Sequence, residues 1–225
     1  MMSGMRKIFF ITGTDTGAGK TVLTALLAGH LHQRGESVAA LKPLCSGGRA
    51  DARALQAALA GSLTLDEINP WHFRAPISPL LAARREQRTV TRAQVLAFIK
   101  AARKKFAVTL VEGAGGLLSP LGEDFDSLDL LLALRATPII VAQNRLGVVN
   151  HLLLTLAALP KPFRAQARVV LMSPEKPDAA TPDNAALLAE FFPAKNIFHL
   201  PWLGKKPGGE TGKKIDRQTL DGLVR

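Results

Sequence analysis

Residues 13–21, GTDTGAGKT, carry the residue types that hold phosphate in nucleotide-using proteins. They follow the apolar run KIFFIT and precede an apolar, helix-like pattern, so they lie where a strand turns into a helix. In such a turn, successive backbone N–H groups and the positive helix end can bind a polyphosphate. Lys20 would contact the β- and γ-phosphates, and the Thr21 hydroxyl would bind Mg²⁺. The alternative is a plain strand-to-helix turn, which the GKT ending disfavours.

The spacing of this loop is a variant of the usual phosphate loop. The usual pattern has four residues between its two key glycines, which would place the first glycine at position 14. That position is Thr14, and Gly13 lies one place earlier, so the loop is longer by one residue and contains an added glycine. We predict that the whole stretch binds nucleotide: Gly13, Thr14, Asp15, Thr16, Gly17, Ala18, Gly19, Lys20 and Thr21.

Three charged residues lie at the ends of predicted elements near this loop. Glu112 ends the apolar run FAVTLVEG, where a carboxylate could face a metal ion. Asp51 begins the helical run DARALQAALAG, and the helix dipole explains a carboxylate there equally well. Lys42 ends the run SVAALKP, where it could neutralise an anion or be a surface lysine.

The run EGAGG at residues 112–116 places three glycines directly after an apolar strand. Glycines without side chains let a ligand approach the backbone closely. A plain turn rarely needs so many, so we expect a ligand to approach the backbone here.

The elements that must position these residues alternate between strand and helix. Strands are predicted at residues 7–12, 37–43, 106–113, 137–143 and 167–173, with 196–203 closing the regular part. Helices are predicted at residues 19–35, 51–61, 91–105, 126–135, 148–159 and 184–192, with Gly35 ending the first and Thr91 capping the third. Apolar strands separated by helices predict an α/β fold, a mostly parallel sheet with helices on both faces. Ligands of such sheets bind beyond the carboxyl ends of the strands.

Composition narrows the function classes. The length of 225 residues suits one domain, and no apolar stretch is long enough for a membrane span or a secretory signal, so a cytoplasmic protein without a membrane partner is expected. The single cysteine, Cys45, cannot form an intrachain disulfide and is expected to be a buried apolar residue. The net charge of +11 would attract acidic molecules. Because the cations are scattered and lack interleaved aromatic residues, we expect nucleotides and not nucleic acid as partners.

The motifs GTDTGAGKT, KPLCSG, VEGAGG, LGVVNH and LPWL occur in this order over about residues 6–204. Together they resemble the dethiobiotin synthetase family, and NPWHFRAPISPLLAARRE is similar to that family's substrate-side segment. The resemblance implies a single phosphate-loop (P-loop NTPase-like) domain that works as a homodimer. It implies ATP-dependent, Mg²⁺-dependent closure of 7,8-diaminononanoate and CO₂ into the cyclic urea dethiobiotin, by way of a carbamate and a carbamic-phosphoric anhydride.

The resemblance also implies roles for individual residues. Lys20 and Lys42 would stabilise the carbamate and the γ-phosphate. Thr21, Asp51 and Glu112 would hold Mg²⁺, and Thr16 and Ser46 would hydrogen-bond phosphate or carbamate. Gly115 and Gly116 would let substrate lie along the backbone. Asn150, in a segment that crosses the dimer in this family, would bind the carboxylate of the diamine; the alternative is that Asn150 caps a helix.

Two positions depart from the family pattern. Gly17 stands where many members have glutamate, so any role of that carboxylate in orienting substrate is absent here. Met172 and Ser173 stand where an asparagine commonly reads the adenine, which leaves the selectivity for the base open. The run GKKPGGETGKK at residues 204–214 is expected to be a surface loop, and a cover over the nucleotide is the alternative.

Three other readings remain. A cobyrinate-type amidoligase would need a glutamine-hydrolysing domain and a reactive cysteine motif, which this chain does not offer. A partition or cell-division ATPase switch would carry a signature lysine early in the loop, where Thr14, Asp15 and Thr16 stand. A nucleic-acid-stimulated ATPase would hydrolyse ATP faster with DNA or RNA and not with diamine and bicarbonate.

Overall fold

The computed structural model describes residues 6–204 and 215–225, and its centre is a six-stranded, all-parallel sheet. The strands of this main sheet are β1 (Lys7–Gly13), β2 (Val38–Leu41), β5 (Val108–Gly116), β8 (Thr137–Gln143), β9 (Arg168–Met172) and β10 (Ile197–Leu200). Two small sheets pair β3 (Leu44–Ser46) with β4 (Trp71–Phe73) and β6 (Pro120–Gly122) with β7 (Phe125–Asp126).

The strand order in the main sheet is β10-β9-β8-β1-β5-β2, so β1 lies in the middle, between β5 and β8. Parallel neighbours require a crossover connection, and helices provide these connections. The carboxyl ends of all six strands therefore meet at one edge of the sheet, here called the carboxyl edge. The opposite edge, where the strands begin, is called the amino edge.

The helices are α1 (Lys20–Gln33), α2 (Ala50–Ala58), α3 (Leu65–Ile68), α4 (Pro79–Arg85), α5 (Arg92–Lys105), α6 (Ser127–Leu134), α7 (Val148–Ala158), α8 (Lys161–Gln166), α9 (Asn184–Ala189) and α10 (Arg217–Val224), with a short 3-10 turn at Ala194–Asn196. No described helix is both long and apolar enough to cross a bilayer.

Local sequence explains where several helices begin and end. Thr91 accepts a hydrogen bond from the Gln94 N–H, and the Gln94 side chain accepts one from the Thr91 N–H, which is a complete capping box at the start of α5. Asp126 and Asp129 form the same arrangement at the start of α6. Gly35 follows α1 with φ of 74°, a left-handed conformation that favours glycine.

The fold class and the order of the main strands and helices predicted from the sequence are confirmed. Several boundaries were wrong, among them the ends of the predicted helix 51–61, which stops at Ala58, and of the predicted strand 196–203, which stops at Leu200. The second strand ends at Leu41, and Leu44–Ser46 turns away to pair with Trp71–Phe73; the third strand continues to Gly116; and the helix at 184–192 ends at Ala189. The segment 204–214, predicted as a loop, lies outside the described residues apart from Gly204.

Candidate active site

The loop between β1 and α1 lies at the carboxyl edge, in the middle of the sheet. Gly19 precedes α1 with φ of 100°, and Gly17 has φ of 74°, so the loop relies on two left-handed glycines. The Thr14 N–H donates to the carbonyl of Val141 on β8, and the Gln143 amide donates to the Gly17 carbonyl at 2.9 Å. The sequence analysis missed Gln143. A Cβ on Gly17 would meet nothing within 4 Å, so only its backbone conformation requires glycine.

Lys20 is folded back over the loop that precedes it. Its Nζ donates to the Asp15 carbonyl at 2.8 Å, and the residue is 6% exposed. Burial, and then the nearby Lys42 cation, lower the pKa of Lys20 from 10.5 to about 8. The ammonium group is therefore poorly solvated and has few anionic partners, so a triphosphate bound in the loop would stabilise its charged form.

Lys42 lies at the centre of a buried ionic group. Its Nζ is 2.7 Å from Glu112 Oε1, 3.1 Å from Asp51 Oδ2 and 2.9 Å from the Gly113 carbonyl. Burial alone would lower the pKa of Lys42, but the Glu112 and Asp51 carboxylates outweigh it and raise the pKa above its usual value. Lys42 is thus a fixed cation, and the structure brings together three residues that lie on β5, on α2 and after β2.

Thr21 and Glu112 also meet at this point. The Thr21 hydroxyl donates to Glu112 Oε1 at 2.7 Å, close to the separation of about 2.9 Å between neighbouring oxygens around Mg²⁺. The second oxygen, Glu112 Oε2, is buried without a hydrogen-bond partner among the described residues. These all-oxygen donors fit Mg²⁺, which prefers one or two carboxylates completed by substrate phosphates. No group of three or more His, Cys, Asp or Glu side chains that could bind a metal ion occurs in the part of the chain that the structure describes.

The glycines after β5 form the next part of the site. Gly116 pairs with Gly13 across the two strands, and a Cβ on Gly116 would lie 3.4 Å from the Gly13 carbonyl. Gly115 has φ of 70°, and a Cβ there would lie 2.3 Å from the Ser119 hydroxyl. Ser119 Oγ accepts a hydrogen bond from the Gly116 N–H. Glycine is thus required at Gly115, by its φ and by the contact with Ser119, whereas a Cβ on Gly116 would make only ordinary van der Waals contact with the phosphate loop.

Ser46 faces a different segment. Its hydroxyl donates to the Ile77 carbonyl at 2.5 Å, which ties β3 to the proline-containing turn before α4. Gly47 contacts the same turn, since a Cβ on it would lie 2.9 Å from the Cβ of Pro76. Cys45, which directly precedes Ser46 in the chain, is buried, as predicted, and burial raises the pKa of its thiol.

Asn150 does not join the lysine and carboxylate group. It lies in the first turn of α7, which starts after Gly147 at φ of 87°, and it is exposed. The preceding turn is held by a buried polar network that sequence reasoning missed. Asn144 Nδ2 donates to the Thr181 carbonyl at 3.0 Å, and Asn144 Oδ1 accepts from Asn184 Nδ2 at 2.8 Å. An isolated polar residue after a strand gives no sequence signal for such burial.

On the other side of the loop, toward β9 and β10, the lysines and carboxylates give way to neutral side chains. The Met172 side chain lies within 3.1 Å of where a Gly19 Cβ would stand, so its thioether packs against the start of α1. Next to it, Ser173 Oγ and His199 Nε2 are 2.8 Å apart and exposed. These are the residues at the position where the family pattern has an asparagine.

The fold and this loop together define a nucleotide-binding protein of the P-loop class. A family model described as an AAA domain matches residues 7–206. Curated relatives cover most of the chain. The ATP-dependent dethiobiotin synthetase BioD of Anaeromyxobacter dehalogenans strain 2CP-C is 39% identical over 199 residues, which are 86% of this chain and 89% of that protein. BioD of Methanocaldococcus jannaschii is 39% identical over 156 residues, which are 68% of this chain and 73% of that protein.

These likenesses identify the chain as a member of the ATP-dependent dethiobiotin synthetase family, and hence as an ATP-dependent ligase. Solved structures support the fold. A ParA family ATPase from Chlorobium tepidum superposes with a TM-score of 0.54 at 14% identity, covering 89% of this chain and 85% of that one. The pNOB8 ParA bound to nonspecific DNA superposes with a TM-score of 0.53 at 12% identity, covering 92% and 88%. At such low sequence identities these two structures are evidence for the fold alone.

Proposed function

We propose that this chain uses ATP and Mg²⁺ to join 7,8-diaminononanoate and CO₂ into dethiobiotin, with release of ADP and phosphate. The observation that carries the proposal is the meeting of Lys20, Lys42 and Glu112 beside the phosphate loop, at the carboxyl edge of the sheet. Membership of the family supports the same reaction.

The reaction needs three bond-forming steps. One amine of the substrate attacks CO₂ and loses a proton, giving a carbamate. A carbamate oxygen then attacks the γ-phosphorus, the bond to ADP breaks, and a carbamic-phosphoric anhydride forms. The second amine attacks the carbonyl carbon, loses a proton and expels phosphate, which closes the urea ring. Both nucleophilic nitrogens belong to the substrate, so the chain has to position reactants and hold charge.

The two lysines suit different parts of this task. Lys42, fixed by Glu112 and Asp51, is a permanent cation for the carbamate and the transferring phosphoryl group. Lys20, with its pKa lowered to about 8, has a poorly solvated charge that a triphosphate would satisfy. The loop N–H groups and the start of α1 add partial positive charge. Thr16, exposed beside the loop, would hydrogen-bond phosphate, and Ser46 would keep the substrate-side turn in place.

Thr21, Glu112 and Asp51 would hold the magnesium ion. When bound, this ion neutralises charge on the β- and γ-phosphates. The contact between Thr21 and Glu112 and the unpartnered Glu112 Oε2 support this assignment.

The nucleoside would leave the phosphate loop toward β8, β9 and β10. The side toward β5 and β2 is filled by Lys42 and its carboxylates, and Gly115 and Gly116 there would leave room for substrate along the backbone. The opposite side offers Met172 and the exposed Ser173–His199 pair, which present no asparagine amide to an adenine. We therefore expect weak discrimination between nucleoside triphosphates.

The diamine carboxylate would bind at the start of α7 of a second copy, with Asn150 as a donor. Asn150 is exposed in the first turn of α7, where a second copy would bring it to a site. Leu146 before α7 is 78% exposed and Leu154 on α7 is 64% exposed, and Leu118 after β5 is 58% exposed. Burying these side chains in a symmetric homodimer would remove apolar surface from water. Each copy would be one synthetase domain, residues 1–225, with the one core that the described residues build.

Incubation with diaminononanoate, bicarbonate, Mg²⁺ and ATP, with mass detection of the cyclic urea, tests the proposed function. We expect one urea per ADP formed, and no urea without the diamine. ATP hydrolysis that proceeds without urea and is indifferent to the diamine would contradict the proposal.

A further inference from the structure

The amino edge of the main sheet collects positive charge that the sequence disperses along the chain. Every strand of this sheet except β2 begins at or just after a cation: Lys7 for β1, Lys105 for β5, Arg135 for β8, Arg168 for β9 and Lys195 for β10. Four spacings of about 4.8 Å between these five neighbouring strands make this row about 19 Å long. The row is continuous because β10, β9, β8, β1 and β5 are neighbours in this order.

Further cations widen this row. They lie at the helix ends and connections of the same edge: Arg6, Arg34, Arg103, Lys104, Lys161, Arg164 and Arg225. Carboxylates in the corresponding positions are fewer: Glu36, Glu190 and Asp221. The chain as a whole has 29 Lys and Arg against 18 Asp and Glu, so much of this excess lies at one edge.

Helix dipoles do not account for so many cations. Helices α1, α5, α6, α7, α8, α9 and α10 end at this edge, and each contributes about half a negative charge, about three and a half charges in all. Some cations do serve these helix ends, because Arg164 donates to the Ala157 and Leu159 carbonyls and Lys7 donates to the Val224 carbonyl. After these contacts and the three carboxylates are counted, the edge still has a large positive excess.

Much of the excess is exposed and unpaired. Lys104, Lys105, Arg135, Lys161 and Lys195 are all exposed, and no salt bridge joins them to any carboxylate within residues 6–204 and 215–225. Among the cations of this edge, Arg34 is the one with carboxylate partners in those ranges, Asp221 and Glu36. Like charges held in a row without partners repel one another, and an anionic partner would relieve the repulsion.

We propose that the amino edge binds the phosphate backbone of a double-stranded nucleic acid without reading its sequence. A duplex carries about 11 phosphate charges along the about 19 Å that the row spans. A membrane surface is disfavoured because stable attachment needs apolar anchors, and Phe191 is the one exposed large apolar side chain that follows a helix ending here. A protein partner is disfavoured because interfaces need an apolar centre. A single-strand platform would stack several bases on aromatic rings, and among the described residues Phe191 is the one such exposed ring after a helix that ends here.

This inference differs from the expectation of no nucleic-acid partner, which depended on the scattered positions of cations in the sequence. It is also independent of the proposed reaction, because the amino edge lies at the opposite end of every main strand from the phosphate loop.

The test is fluorescence anisotropy with a labelled 20-base-pair DNA duplex and the matching RNA duplex, titrated with the full chain between 50 and 200 mM KCl. Binding of either duplex supports the proposal, and the duplex that binds more tightly shows whether the partner is DNA or RNA. With at least four phosphates contacted, log K should fall with log salt at a slope of about −3.5 or steeper. No binding by either duplex at 50 mM KCl, or phosphatidylserine vesicles bound in place of both duplexes, would overturn it.

A pair of matched double variants sharpens the test. Lys104→Gln/Lys105→Gln removes two cations of the row, and Arg53→Gln/Lys176→Gln removes two exposed cations elsewhere, so the net charge is the same in both. The first should weaken duplex binding about tenfold or more at 100 mM salt and make the slope shallower by about two, whereas the second should leave both unchanged. Equal effects of the two variants would contradict a site at this edge. ATP turnover should be unchanged in the first variant, since the loop is intact.

Discussion

The two edges of the parallel sheet hold their charges in different ways. At the carboxyl edge Lys20, Lys42 and Glu112 are buried, and their partners are single atoms at hydrogen-bond distance. At the amino edge Lys104, Lys105 and Lys195 are exposed and lack a carboxylate partner within residues 6–204 and 215–225. Buried charges interact through a low dielectric, so removing a single one changes the energy of the site strongly. Exposed charges are each screened by salt, so their attraction for an anion depends on their number. We therefore expect binding at the carboxyl edge to depend on individual residues, and binding at the amino edge to depend on the total positive charge.

Removing a buried lysine should have the largest effect. Lys20→Ala and Lys42→Ala should each lower turnover about a hundredfold or more, because each deletes a charge aimed at the transferring phosphoryl group. Turnover measured with saturating substrates, alongside the exposed control Lys176→Ala, tests this. Lys42→Ala also leaves Glu112 without its cation, so thermal unfolding should be recorded, and Lys20→Ala decides the question if Lys42→Ala does not fold. Near-normal rates in folded variants would contradict the charge-holding scheme.

Replacing the buried carboxylate should change the metal requirement. Glu112→Gln keeps the shape but removes the charge beside Thr21, so the Mg²⁺ concentration for half-maximal turnover should rise about tenfold or more. A Mg²⁺ titration of turnover measures this, and Glu123→Gln, at an exposed carboxylate paired with Arg84, is the control. An unchanged titration curve would remove Glu112 from the metal site.

An effect confined to one substrate is expected at α7. Asn150→Ala should raise the KM for the diamine about tenfold while the KM for ATP changes little, because it removes a hydrogen bond to a charged carboxylate. Gln166→Ala, which removes an exposed amide at the amino edge, should change neither. If Asn150→Ala raised the KM for the diamine and the KM for ATP equally, the residue would be a helix cap and not a carboxylate ligand.

The pKa of Lys20 predicts a pH dependence of nucleotide binding. Its value in the nucleotide-free protein is lowered to about 8, so the ammonium group is present below pH 8 and is lost as pH rises through that value. The dissociation constant of ATP should therefore increase above about pH 8. Titrations from pH 6.5 to 9.5 by calorimetry measure this, and Lys20→Gln should bind more weakly but with a flat profile over that range. A wild-type profile as flat as that of Lys20→Gln would contradict the assignment.

The smallest effect should come from a change that touches neither set of charges. Thr91→Ala removes the cap of α5, which runs from the carboxyl edge to the amino edge, and should lower the free energy of unfolding by about 1 kcal/mol. Urea denaturation measures the loss. ATP turnover and duplex binding should both be unchanged, and a change in either would mean that the start of α5 also affects one of the two sites.

The sequence predicted the main sheet well because its strands are apolar runs with clear turn signals between them. It failed at Leu44–Ser46 and Trp71–Phe73, because three-residue strands carry no period and their pairing spans the whole of α2 and α3. It placed Lys42 and Glu112 at strand ends, and β2 pairs directly with β5, so their contact follows from the strand order.

Other parts of the site needed coordinates. Asn144 is 1% exposed and holds the turn before α7, but a single asparagine after a strand has the same sequence signature whether it is buried or free. The sequence also contained no sign that cations gather at the amino edge, because Lys7 and Arg135, like Arg168 and Lys195, lie far from each other along the chain or in separate elements and come to neighbouring strands only through the strand order. Local sequence patterns predict helices and strands, whereas the distribution of charge on the surface depends on how these elements pack together.

A crystal structure with a non-hydrolysable ATP analogue, Mg²⁺ and the diamine would test the central claim most directly. The account predicts the triphosphate against the N–H groups of residues 13–21, with Lys20 and Lys42 at hydrogen-bond distance from the γ-phosphate and Thr21 and Glu112 around the ion. A triphosphate bound elsewhere, with both lysines directed into solvent, would contradict it.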